Sequence, residues 1–144
     1  MKKIVLASLL AIITMVTGCK KEEVLSARDQ TLNKLNGQWS NAQVTHGTDG
    51  DLSGLYADFQ LVFTKAKTDG FDGYYIVSNG GHAFTQGSGK WKLDSGNSQI
   101  TLSNGPSMDF EVTATALMLD FTVENTGGRI SGLHGHFTFN LTKE

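Results

Sequence analysis

The sequence predicts an all-β fold, an eight-stranded antiparallel up-and-down β-barrel, on three observations. Stretches in which apolar and polar residues alternate recur from residue 37 onward, and this period of two is typical of strands with one buried face. Glycine, asparagine, serine and threonine separate these stretches, and the 144-residue chain contains one proline. No long segment after residue 37 has the 3.6-residue apolar period of an amphipathic helix.

Eight strands are expected. The first runs from Gly37 to Thr45 and the third from Phe71 to Ser78. The other six are defined by alternating apolar residues, which are Phe59, Leu61 and Phe63; Trp91 and Leu93; Ile100 and Leu102; Met108, Phe110 and Val112; Leu117, Leu119, Phe121 and Val123; and Leu133, Phe137, Phe139 and Leu141. Short turns such as Asp69-Gly70 and Ser95-Gly96-Asn97 favour sequential hairpins.

Closing eight such strands into a barrel places every apolar face inside and leaves no unpaired edge. A two-sheet β-sandwich is the alternative architecture. Before the first strand, Asp29 to Asn36 predicts one or two helical turns, with Asp29 as a possible N-cap and Leu32 and Leu35 on one side.

The first residues have the pattern of an export signal. Lys2 and Lys3 precede an apolar run from Ile4 to Val16, and Thr17-Gly18-Cys19 follows. The run of about 13 residues is shorter than the roughly 20 that cross a bilayer, and it fits a secretory signal. The pattern resembles the signal and lipobox of bacterial lipoproteins. An ordinary cleaved signal with an incidental cysteine is the alternative.

The lipoprotein resemblance implies three regions: a signal peptide over 1–18, a lipidated tether over 19–34 and a β domain over 35–144. It also implies an acylated Cys19, a palmitate-type anchor that tethers the protein to the outer membrane. Lys20-Lys21-Glu22-Glu23 resembles the export signals of surface lipoproteins in the Bacteroidetes, and a solvated spacer is the alternative. The domain is therefore expected on the cell surface or on the periplasmic face.

Three stretches of the body resemble small lipocalin-like lipoproteins. Leu35-Asn36-Gly37-Gln38-Trp39 is similar to their L-x-G-x-W opening. Gly89-Lys90-Trp91-Lys92-Leu93 with Ile100-Thr101-Leu102, and then Thr115 to Leu119, are similar to strands that follow it. The resemblance covers roughly residues 35–142. It implies a lipocalin-like barrel that binds a small hydrophobic ligand and does not catalyse a reaction.

Charge and motifs narrow the function classes. The formal net charge is −2 and Lys and Arg do not cluster, which excludes nucleic acid as a partner. With one cysteine, at position 19, the β domain has no thiol for catalysis. No nucleophile-elbow motif is present, so the sequence favours a protein that does not catalyse a reaction. An envelope hydrolase is the second alternative function. The first alternative is an accessory interaction subunit of an outer-membrane complex, which requires an exposed apolar patch.

Five aromatic residues are candidates for ligand binding. Aromatic side chains near strand starts and loops can line an apolar pocket at the mouth of a barrel. The candidates are Trp39, Tyr56, Tyr75, Phe84 and Trp91. Core filling is the alternative role, and the many bulky inward residues predict little free volume inside the barrel.

One loop is a candidate calcium site. Asp49-Gly50-Asp51-Leu52-Ser53-Gly54 matches the first six positions of a calcium-binding loop, with Asp49, Asp51 and Ser53 as ligands. The twelfth position is Gln60, where such loops carry a bidentate glutamate. A solvated loop without any cofactor is the expected alternative. His134 and His136 are expected on one outward face, where a metal would need further ligands.

Overall fold

The computed structural model describes residues 23–84, 87–124 and 134–144, and most of these form one closed antiparallel sheet. The helices are α1 (Ala27–Leu35) and the 3₁₀ helix η1 (Ser53–Tyr56). The strands are β1 (Gly37–His46), β2 (Gly50–Asp51), β3 (Gln60–Thr68), β4 (Phe71–Ser78), β5 (Ser88–Leu93), β6 (Gln99–Leu102), β7 (Ser107–Val112), β8 (Ala116–Val123) and β9 (Gly135–Lys143).

The sheet is an eight-stranded up-and-down barrel. Strands β3 to β9 pair in chain order, β1 pairs with β3, and the two-residue β2 lies beside β1. The barrel closes because β1 also pairs with β9, from Trp39 opposite Lys143 to His46 opposite Phe137. The predicted barrel is confirmed, and the sandwich alternative is wrong because its two sheets would not be joined along both sides.

Among the described residues, the alternating apolar side chains of the predicted strands face the barrel interior, and Val112 and Val123 are only partly buried there. The largest fully buried side chains are Trp39, Trp91, Tyr75, Phe59, Phe63, Phe137, Phe139, Leu35, Leu61, Ile100, Met108 and Leu117. Leu133, also predicted for the last strand, lies outside the described residues. Since each strand contributes its inward face to the same centre, the core is continuous along the barrel.

Helix α1 covers the end of the barrel at which β1 begins. Its Leu32 and Leu35 are buried, as predicted, and it contacts β3 and β7, which lie on opposite sides of the barrel. The N-cap is Ser26 and not Asp29, because the Ser26 Oγ accepts a hydrogen bond from the Asp29 backbone N–H at 3.1 Å. In the part of the chain that the structure describes, no helix is both long and apolar enough to cross a membrane.

Residues with positive φ form two of the predicted turns. Asp69 (φ 43°) and Gly70 (φ 80°) join β3 to β4, and Asn97 (φ 55°) lies in the turn between β5 and β6. Aspartate, asparagine and glycine adopt this left-handed conformation at low cost, so the turn residues identify the hairpins. The predicted turn at Thr126-Gly127-Gly128 lies outside the described residues.

The turn after β5 is organised around the Asp94 carboxylate. It accepts hydrogen bonds from the backbone N–H groups of Gln99 (2.9 Å), Ser98 (2.8 Å) and Gly96 (3.1 Å) and from the Ser98 hydroxyl (3.1 Å). These hydrogen bonds, that from Gln99 first, lower the pKa of Asp94 from its ordinary value of 3.8. The charged form of Asp94 is therefore favoured by the folded chain.

Because the folded-state pKa of Asp94 is lowered, its contribution to stability is present above pH 3.8 and is lost as the pH falls through the folded value. We expect the melting temperature of the parent protein to fall steeply with pH in this acidic range. Asp94→Asn should melt lower at pH 6 and show a flatter pH dependence. Thermal unfolding followed by circular dichroism between pH 6 and 2.5 measures both, and parallel curves for the two proteins would contradict the prediction.

Candidate functional site

The end of the barrel opposite α1 is filled by aromatic rings. The Phe139 ring lies 5.0 Å from the Tyr56 ring, 5.1 Å from that of Phe59 and 5.5 Å from that of Phe84. Tyr56 comes from η1 and Phe84 from the connection after β4, so both enter the barrel from its rim. Burial raises the pKa of the Tyr56 hydroxyl. Tyr56 and Phe84, two of the residues predicted to contact a ligand, therefore fill the end of the barrel opposite α1.

Both tryptophans are also packed in the core. The Trp39 indole N–H donates to the Leu35 carbonyl oxygen at 2.9 Å, which joins β1 to the end of α1. The Trp91 indole N–H donates to the Tyr74 carbonyl oxygen at 3.0 Å. A buried indole needs such a partner, and each has one within the protein. A ligand-binding role for Trp39, Trp91, Tyr56 and Phe84 stays a prediction.

An apolar groove of about 620 Å³ lies on the outer wall of the barrel, along β4 and β5. Its lining includes Tyr74 and Ile76, whose exposed fractions are 44% and 55%. We name this surface the β4–β5 groove, and its lining residues are Phe71, Tyr74, Tyr75, Ile76, Ser88, Gly89, Lys90, Ser103 and Asn104. A concave apolar surface with a few polar groups is the usual form of a small-molecule site.

Polar atoms meet at Gly89, which belongs to the lining of the β4–β5 groove. A Cβ atom at Gly89 would lie 2.7 Å from the Ser103 Oγ and 3.1 Å from the Tyr75 Oη. The Tyr75 hydroxyl is buried and has no hydrogen-bond partner among the described residues. Burial raises its pKa, so it is a neutral donor. Of the five aromatic residues predicted to bind a ligand, Tyr75 is the one that belongs to the lining of this groove.

A positive charge lies beside the apolar lining. The Lys90 ammonium is 5.6 Å from the centre of the Phe71 ring and 3.4 Å from an Asp69 carboxylate oxygen. The Lys92 ammonium lies 6.0 Å from the same ring. The exposed pair between Lys90 and Asp69 is weak, so Lys90 can turn toward an anionic group in the groove. The site can thus hold an apolar body with a negatively charged end.

The two carboxylates of the predicted calcium loop have different partners. An Asp49 carboxylate oxygen lies 3.0 Å from the His46 Nδ1. The Asp51 Oδ1 accepts hydrogen bonds from the Ser53 hydroxyl at 2.6 Å and from the Ser53 N–H at 2.9 Å, and these bonds, that from the hydroxyl first, lower the pKa of Asp51. Among the described residues, no group of three or more His, Cys, Asp and Glu side chains is placed to hold a metal ion. The geometry favours a hydrogen-bonding role for the loop.

The histidines near the start of β9 also have protein partners. The His136 Nε2 lies 3.0 Å from a carboxylate oxygen of Asp120 on the neighbouring β8. The His134 carbonyl oxygen lies 3.0 Å from the Nε2 of His46, which is buried. These contacts connect β1, β8 and β9.

Sequence reasoning missed the outward apolar residues of β4. Tyr74 and Ile76 occupy positions that the period-two pattern assigns to the polar face. The signal was present, because Tyr74-Tyr75-Ile76-Val77 is apolar at four consecutive positions and therefore on both faces, whereas the outward positions of β7 and β9 are polar. A strand of a barrel that is apolar on its outer face indicates a second contact surface.

No protein-family model, curated protein or solved structure matches this chain.

Proposed function

We propose that the chain is a lipid-anchored lipocalin-like protein of the bacterial envelope that binds a small hydrophobic ligand without catalysing a reaction. The ligand site is the β4–β5 groove on the outside of the barrel, and the ligand carries an anionic or hydrogen-bond-accepting end. The observation that carries this proposal is the exposure of Tyr74 and Ile76 in a concave apolar surface beside Lys90. The aromatic side chains that fill the barrel end favour an outer site over an inner one.

The lipid anchor in this proposal depends on Cys19 and the signal pattern before it. Acylation of Cys19 places the domain at a membrane surface, where amphipathic molecules concentrate. Replacement of Cys19 by alanine should move the protein from the membrane fraction to the aqueous fraction of its host cells. Mass spectrometry of the amino-terminal peptide from the parent protein provides the direct readout. An unmodified Cys19 in material from the native host would contradict the lipid anchor. It would not contradict ligand binding at the β4–β5 groove.

Binding at the groove can be tested with an amphipathic probe, 8-anilino-1-naphthalenesulfonate, whose apolar rings and sulfonate match the lining. We expect saturable fluorescence enhancement with the folded parent domain. Ile76→Ser should weaken binding about tenfold, equivalent to about 1.4 kcal/mol for one apolar side chain against the ligand. Lys90→Gln should also weaken binding of the probe, and this loss of affinity should be larger in low salt than in high salt.

Leu55→Ser is the matched control. Leu55 is exposed by 69% and lies on η1, outside the groove lining, so its loss should leave probe binding unchanged. Equal affinities of the parent and Ile76→Ser would contradict the groove as the site. Native mass spectrometry of protein purified from its own host then identifies the retained ligand by its mass.

A second candidate function is that of an accessory subunit in an outer-membrane complex. Tyr74 and Ile76 are adjacent on the outer face of β4, and the partly buried Val62 lies opposite Ile76 on β3. Together they form an apolar patch that can accept a side chain of a partner protein. A photo-reactive amino acid at Ser88 distinguishes the two functions. One protein adduct of defined mass favours the subunit, and a small-molecule adduct favours the ligand-binding protein.

A further inference from the structure

The barrel wall is open where β1 separates from β3. The two strands pair only from Gly37–Trp39 to Leu61–Phe63. On the other side of β1, the register of its pairing with β9 shifts between Ser40 and Gln43, where Asn41 has a φ of 52°. The next part of β1 bonds to the segment around η1, since the Val44 N–H donates to the Ser53 Oγ at 3.0 Å. A β-bulge bends the strand that carries it, so β1 leaves β3 after Trp39 and the wall opens between the two strands.

The resulting cleft of about 300 Å³ has a polar lining, and we name it the β1–β3 cleft. Ser40 contributes to it with a hydroxyl that is buried and without a hydrogen-bond partner among the described residues, and only 6% of Ser40 is exposed. Because Trp39 faces the core, the alternation of a strand directs Ser40 outward, into the cleft. A buried hydroxyl without a partner is costly, and a bound ligand would remove that cost.

The other lining groups present oxygen atoms. The Asn41 amide nitrogen donates to the Thr142 Oγ1 at 2.9 Å, and the Asn79 amide nitrogen donates to the Asp58 carbonyl oxygen at 2.8 Å. Each amide oxygen is thereby left to accept. The carboxylate of Asp58 and that of Glu144, which accepts a hydrogen bond from Gln38, add two negative charges. The lining contains no lysine, arginine or histidine.

We propose that the β1–β3 cleft binds a calcium ion through Ser40, Asn41, Asp58, Asn79 and Glu144. Calcium takes six to eight oxygen ligands, mixes carboxylates with neutral carbonyl and hydroxyl oxygens, and tolerates irregular geometry. Two carboxylates balance its charge. Such a site on an extracellular module binds calcium with a dissociation constant of about 10⁻⁴ to 10⁻³ M. This site is separate from the loop of Asp49, Asp51 and Ser53, and it does not depend on the proposed ligand groove.

Terbium luminescence tests the proposal on the folded full-length protein. Terbium substitutes for calcium, and a nearby indole such as that of Trp39, adjacent to Ser40, sensitises its emission. We expect a saturable signal that calcium chloride displaces. Asp58→Asn should weaken terbium binding at least tenfold, and Ser40→Ala should weaken it severalfold. The matched control is Asp51→Asn, which removes a carboxylate from the alternative loop and should leave the affinity unchanged.

The melting temperature separates binding from a purely structural role. Calcium should raise the melting temperature of the parent and of Asp51→Asn but not that of Asp58→Asn. Without calcium, Ser40→Ala removes an unpaired hydroxyl and should melt no lower than the parent. Parent-like terbium affinity in Asp58→Asn, or loss of binding in Asp51→Asn, would overturn the proposal. Both proteins remain folded in this comparison because Asp58 and Asp51 are exposed.

Discussion

Replacement of Phe139 by alanine is expected to lower the free energy of unfolding by about 3–5 kcal/mol. Phe139 is fully buried at the centre of the aromatic cluster that fills one end of the barrel. Its removal leaves a cavity bordered by the rings of Tyr56 in η1, Phe59 just before β3 and Phe84 in the connection after β4, and rigid strands on the other sides limit collapse. Because a domain of this size has a total stability of about 5–15 kcal/mol, the variant should be close to unfolding.

Urea denaturation followed by tryptophan fluorescence measures this loss, since both tryptophans are buried in the native barrel. Phe71→Ala is the matched control because Phe71 is only partly buried and lies at the outer groove. It should cost about 1 kcal/mol or less. If the two variants lost similar amounts of unfolding free energy, packing in the aromatic cluster would contribute no more to stability than a partly buried surface ring.

The fold could be predicted in detail because inward apolar residues alternate with outward polar residues along most strands of the barrel, and this alternation is the one rule that the prediction needs. Apolar residues alternate on β3, β7, β8 and β9, and short turns rich in glycine and asparagine separate consecutive strands. The alternation and the short turns are nearly sufficient to predict a closed sheet. The closing contact between β1 and β9 was also foreseeable, because a barrel is the arrangement that leaves neither of these strands with a free edge.

The candidate sites were harder to predict because they arise where that rule fails. The β4–β5 groove depends on Tyr74 and Ile76, which are apolar on the outer face. The β1–β3 cleft depends on a bulge at Asn41, whose positive φ is not visible in a pattern of apolar residues. Composition identifies aromatic and acidic residues, but it does not indicate which of them the register brings together.

The cap of α1 shows the same limit on a smaller scale. Ser26 and Asp29 are both residue types that cap helices, and the sequence predicts Asp29 as the cap, with Leu32 and Leu35 on one side of the helix. Arg28, in the first turn of the helix that Ser26 caps, also contacts the barrel. Its guanidinium donates to the Asp72 carboxylate at 2.5 Å and to the Asp94 carbonyl oxygen at 2.9 Å. These contacts join residues far apart in the sequence, so local propensity does not reveal them.

Replacement of Gly73 by alanine is expected to cost about 3 kcal/mol or more, although it adds one methyl group. A Cβ atom at Gly73 would overlap the carbonyl oxygen of Thr64 on β3 and would lie 2.8 Å from the Trp91 Nε1 on β5. Backbone on one side and a hydrogen-bonded indole on the other leave no direction in which the methyl group can move. The Trp91 hydrogen bond to the Tyr74 carbonyl should therefore break or the strands should separate.

Gly54→Ala is the control for this prediction, because no atom lies within 4 Å of a Cβ placed there and its φ is not positive. That variant should unfold within about 0.5–1 kcal/mol of the parent, and an alanine in η1 reduces the entropy of the unfolded chain. Urea denaturation and the tryptophan emission maximum of the folded variants are the measurements. Equal stability of the two variants would mean that β3 and β5 can separate around Gly73 at little cost. The wall beside the β4–β5 groove would then be adaptable, and ligands larger than the groove could enter it.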